Sequence, residues 1–130
     1  MIPSEPPIES NTDGPAQGWN ELGFVPWRSF QRMAPSILQL EVTRLGELIS
    51  AAGALDIRNA LVKSRYELTA FIAALEKEGS PDKLETSRLQ AAIVNLPLEY
   101  PGIDSETGET LAYILNRLQY VHNRIRFVYQ

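Results

Sequence analysis

The sequence contains no cysteine. That absence excludes disulfides, iron–sulfur clusters, thiolate zinc sites and cysteine nucleophiles together. Histidine is almost as scarce. His122 stands alone, so no two-histidine metal motif can be assembled within one chain. There is no glycine-rich phosphate loop, no nucleophile elbow and no Glu-x-x-His pair of a di-iron bundle. The acidic stretch Asp104-Ser105-Glu106-Thr107-Gly108-Glu109 lacks the alternating oxygen ligands of a calcium loop and reads as helix capping. Neither a metal nor a cofactor is expected. Long hydrophobic runs are missing too. The longest, Ala70-Phe71-Ile72-Ala73-Ala74-Leu75, falls far short of the roughly 18 residues that span a bilayer. The opening residues MIPSEPPIESN have neither the basic nor the apolar region of a signal peptide. A cytoplasmic chain with no membrane partner is the expectation. Nor is there an excess of positive charge: 12 basic against 16 acidic residues leave a net charge of −4, so no global field holds nucleic acid or anionic lipid.

What remains is the composition of one globular domain: 130 residues, 44% hydrophobic and 22% charged. Its organisation changes along the chain. Residues 1–18 hold four prolines (Pro3, Pro6, Pro7, Pro15), two glycines and mostly polar side chains, too little apolar area to offset the entropy of ordering. They read as a disordered tail. Residues 19–34 form an aromatic arm carrying Trp19, Phe24, Trp27 and Phe30. Gly18 just before it and Gly23 and Pro26 within it keep it from being one continuous helix, leaving room for a short turn from Pro26 to Met33. Such an arm either folds over its own core or anchors into a partner or second subunit.

From residue 35 to 130 the period is helical and four helices are predicted. Pro35 followed by Ser36 and Gln39 fits a capping box, and Leu38, Val42, Leu45, Ile49 and Ala52 continue as a core-facing stripe that Gly53 stops. The next stripe, after Asp56 as N-cap, is Ile57, Leu61, Ser64, Leu68, Phe71 and Leu75, with Gly79 as its stop. Ser80 and Pro81 then open a third helix carrying Leu84, Leu89, Ala92, Ile93 and Leu96 as far as Pro97. After a longer connection, Asp104, Ser105 and Thr107 can each cap the last helix, whose stripe is Leu111, Ile114, Leu118, Val121, Ile125 and Val128. No strand-like alternation competes, so the expected fold is an all-α, antiparallel four-helix bundle.

The last helix also carries a second pattern. Tyr113, Arg117, Tyr120, Arg124 and Phe127 follow one another at steps of four and three residues, away from the core stripe. Three readings compete for this aromatic–arginine ladder. It packs against the aromatic arm; it forms a subunit or partner interface, where Tyr and Arg are enriched; or its rings stack on bases while Arg117, Arg124 and Arg126 meet phosphates.

His122 follows Arg117 by five residues. Arg-x-x-x-x-His resembles the arginine–histidine motif of HEPN-type ribonucleases, helical-bundle proteins in which the pair lies at a dimer cleft and acts on RNA. The resemblance implies Arg117 and His122 as catalytic residues and RNA as substrate. It covers two residues, and Leu118 stands where the family commonly has a polar residue. Five positions at 100° each also place the two side chains on different sides of the helix, so a bend or a second subunit is needed to join them. Otherwise His122 is a partly buried side chain at the core edge.

The function expected is that of a non-enzymatic interaction or assembly protein. It self-associates, or docks a protein partner, through Tyr113, Arg117, Tyr120, Arg124 and Phe127 of the last helix and Trp19 and Trp27 of the arm. The alternative is an RNA-directed protein, either a HEPN-like nuclease or a nucleic-acid-binding module using the basic last helix.

Overall fold

A computed structural model describes residues 25–77 and 81–129. Among these residues there are four α-helices: α1 Trp27–Ala51, α2 Leu55–Lys77, α3 Ser87–Val94 and α4 Ser105–Phe127. A single 3-10 turn, Pro81–Lys83, precedes α3, and no strand occurs among the described residues. The bundle is antiparallel. At the start of α1, the Gln31 side chain donates to the Leu75 carbonyl near the end of α2 at 2.9 Å. Between α2 and α3, Ser64 Oγ donates to the Ala92 carbonyl at 2.7 Å and Arg88 meets Glu67 at 2.8 Å. Between α1 and α4, Arg44 lies over the Tyr113 ring while the Tyr129 hydroxyl donates to the Val25 carbonyl.

The two long predicted stripes lie in the core, with Phe30, Leu38 and Leu45 of α1 and Leu89 of α3. Ile57, Leu61, Ser64, Leu68, Phe71 and Leu75 of α2 are all buried, as are Leu111, Ile114, Leu118, Val121 and Ile125 of α4. The capping logic of α4 holds as well: Asp104 Oδ1 accepts from the Thr107 amide at 2.7 Å, and Arg124 and Arg126 occupy its last turn. That amide holds the Asp104 carboxyl below its usual range. In the connection before it, Gly102 turns the chain at φ 89°, a conformation side chains resist.

Several boundaries differ from the sequence reading, the smallest at α2, which opens at Leu55 and so holds Asp56 in its first turn rather than at its N-cap. The first helix does not begin at Ser36. It begins at Trp27, with Pro26 as N-cap, and runs through Pro35. An interior proline costs roughly 3 kcal/mol or more. Here the turns before it bury Phe30 and Ala34 completely, an apolar gain that compensates. Residues 27–34 are therefore the opening turns of α1 rather than a separate arm. The third helix is split. Leu84 and Leu89 are both buried, but five residues of continuous helix would aim them 140° apart. The break between Lys83 and Ser87 lets both face the core. Finally, Val128 leaves the stripe. The helix stops at Phe127, Val128 is 52% exposed, and Tyr129 turns inward instead. The expected tail at 1–18, Trp19 and Phe24, and the caps at Gly79 and Ser80 lie outside the described residues.

Candidate interaction face between α1 and α4

The backbones of α1 and α4 approach one another at few positions, and long polar side chains fill the seam between them. Glu41 is fully buried there, although it belongs to a residue type almost never buried without a partner. Its Oε1 lies 3.4 Å from Nη1 of Arg44, one turn further along α1. Its Oε2 is buried with no protein hydrogen bond. Burial pushes the Glu41 carboxyl up from 4.5 to about 7, and the guanidinium groups of Arg44 and Arg117 oppose that rise. The same two arginines connect this carboxyl to Tyr113 of α4. Two guanidinium groups stack on its ring, Arg117 at 4.4 Å and Arg44 at 4.6 Å, and Arg117 Nη2 also donates to the Tyr113 hydroxyl. An open cleft of about 340 Å³ lies beside the stack, lined by Arg44, Glu109, Thr110 and Tyr113.

The ladder read from the sequence thus divides into two parts. Tyr113 and Arg117 are half-buried and engaged with α1, at Glu41 and Arg44. Tyr120 is half-buried against the core, and Arg124 is half-buried one turn beyond it. Phe127, at the end of the same row, is 74% exposed. Leu40 of α1, on the turn that carries Glu41 and Arg44, is 41% exposed.

At that end of the bundle the aromatics form a second cluster. Trp27 stacks on Phe30 at 5.8 Å, and Tyr129 meets Trp27 edge-on at 5.4 Å and Phe30 at 5.2 Å. Trp27, expected at an interface, is half-buried in this intramolecular cluster, with its indole Nε1 buried and unpartnered.

Arg117 and His122 are not brought together. Arg117 turns to Tyr113, on the α1 side. His122 is half-buried seven residues after Leu115, on the stripe that faces α3. Leu115 there lines an apolar groove of about 530 Å³ with Ile93, Val94, Leu98 and Tyr100. Among the described residues no group of three His, Asp or Glu side chains could hold a metal, and no helix is long and apolar enough to cross a membrane.

Comparison with protein-family models, curated proteins and solved structures gives no match.

Glu41 is the site residue that the sequence reading missed. It follows Leu38 by three residues and precedes Leu45 by four, which is core spacing. A carboxylate in that register, on a helix whose neighbour carries Tyr and Arg at matching intervals, was the available signal.

Proposed function

We propose that this chain is a non-enzymatic assembly protein whose α1/α4 face takes up a second protein, in the first instance another copy of itself. The supporting observation is the exposed end of the ladder. Phe127 and Val128 stand in solvent beside Arg124 and Arg126, in a chain that keeps its other stripe on α4 wholly buried. A ring flanked by guanidinium groups offers a partner both apolar area and cation–π contact, which gain most when water is excluded. Leu40 extends the apolar part of the face onto α1.

Analytical ultracentrifugation across micromolar concentrations tests the proposal. The mass of the wild-type chain should rise with concentration, and Phe127→Ser should weaken association about tenfold or more, as loss of an interface anchor does. A constant monomer mass at all concentrations would overturn the reading. So would RNA cleavage that disappears in His122→Ala, which would promote the nuclease alternative.

A further inference from the structure

The excess negative charge of this protein is confined to one segment. Residues 1–24 carry Glu5, Glu9, Asp13 and Glu21 and no lysine or arginine, whereas residues 25–130 hold 12 acidic and 12 basic side chains and balance. The same 24 residues include Trp19, Leu22 and Phe24. They join the bundle at Val25, whose carbonyl accepts from the Tyr129 hydroxyl at the foot of the α1/α4 seam. Along that seam three guanidinium groups, Arg124, Arg117 and Arg44, succeed one another upward from the junction, with the carboxyls of Glu41 and Glu109 only at its upper end. Phe127 is exposed below Arg124, and Leu40 is exposed on the turn that carries Arg44.

We propose that residues 1–24 dock in cis on the α1/α4 face and compete there with the protein partner. This inference rests on the face being an interaction surface, and it adds a regulator built into the same chain. Length permits it. Six extended residues from Trp19 to Val25 span ~20 Å, and the thirteen helical positions from Tyr129 back to Asn116 rise ~20 Å. Trp19 therefore reaches any level of the ladder from Phe127 to Arg117. Glu21 reaches Arg124, and Asp13, twelve residues from the junction, reaches Arg44. Tethering favours the cis arrangement, because a short covalent connection holds the segment at an effective concentration of order millimolar. The contact combines carboxylate–guanidinium pairing at the exposed rim with apolar cover for Phe127, so it weakens with salt without vanishing. A partner displaces the segment by offering the same two chemistries in a more rigid form.

The absence of native cysteine gives a direct test. Gln17→Cys in the full-length chain carries a nitroxide spin label, and paramagnetic broadening of the backbone amide signals is mapped by NMR. Broadening should concentrate on α4 from Arg117 to Phe127 and on α1 from Met33 to Arg44. It should spare the outer face of α2 at Val62, Tyr66 and Thr69, and it should decrease in high salt. A full-length variant with Glu5, Glu9 and Glu21 changed to Gln and Asp13 to Asn should lose most of the broadening. It should also self-associate at least threefold more tightly in the ultracentrifuge. Broadening that is absent, evenly spread, or centred on α2 would overturn the proposal. So would broadening seen only when the spin-labelled chain is mixed with a separate isotope-labelled one, because the segment then occupies another copy. The two readings fail separately. A constant monomer mass in both chains with seam-specific broadening removes self-association and keeps the cis contact. A rising mass without that broadening does the reverse.

Discussion

The seams on either side of α2 and the seam between α1 and α4 are built on opposite principles. Around α2 the interior is nearly all aliphatic and aromatic, and its one buried polar side chain, Ser64, donates to the Ala92 carbonyl. Between α1 and α4 the middle of the seam holds a carboxyl, two guanidinium groups and a phenol. An apolar seam draws stability from area removed from water and tolerates few changes of shape. The polar seam draws little net stability, since desolvating Glu41 opposes the attraction it receives from Arg44 and Arg117. In return it fixes how two helices with sparse backbone contact face one another, and it leaves the outer ends of its long side chains at the surface. An interaction face is easier to build on the second kind of seam than on the first.

Breaking the apolar side should give the largest effect. Phe71 is completely buried on α2, and Phe71→Ala should cost about 3–5 kcal/mol in urea-unfolding experiments, by the usual cost of emptying a core aromatic site. A loss under about 1 kcal/mol would mean that the core collapses around the gap and that the contrast between the seams is false.

The polar seam should instead reveal itself through pH. The folded-state carboxyl of Glu41 is raised from 4.5 to about 7, so between those values the folded chain holds a proton that the unfolded chain has released. Its contribution is complete below about pH 4.5 and is lost as pH rises through about 7. Across that window the wild type should lose on the order of 3 kcal/mol relative to Glu41→Gln, which does not titrate. Chemical denaturation of both chains at a series of pH values measures the difference. A difference independent of pH would show that Glu41 is solvated in the folded protein.

The smallest effect on stability belongs to the exposed end of the ladder. Phe127→Ser should change the unfolding free energy by less than about 0.5 kcal/mol, as surface substitutions do, while weakening association. Loss of stability and of association in the same proportion would make Phe127 a packing residue and erase the boundary between seam and face.

Much of this was legible in the amino-acid order. The α2 stripe from Ile57 to Leu75 and the α4 stripe from Leu111 to Ile125 are buried as periodicity requires, and Asp104 caps as its chemistry suggests. Periodicity and capping are local properties, set by 100° per residue and by the unpaired amides of a helix start, so sequence carries them. The boundaries that moved were decided at a distance. Pro35 reads locally as a helix start, and only the burial of Phe30 and Ala34 against other helices outweighs that signal. The same holds for the break before α3, which exists because Leu84 and Leu89 must reach one core.

The sequence by itself determined a helical chain with two core stripes, an aromatic–arginine row on its last helix, and a negative excess held entirely in its first 24 residues. Only the tertiary structure decided what that row meets. Glu41 lies 72 positions before Tyr113, and its core spacing after Leu38 names no partner for its carboxyl. Antiparallel packing of α1 on α4 places its carboxyl among Arg44, Arg117 and Tyr113, engages one half of the row and leaves Phe127 in solvent. Residues so far apart are paired by the summed burial of every other helix in the bundle, which no window of sequence contains.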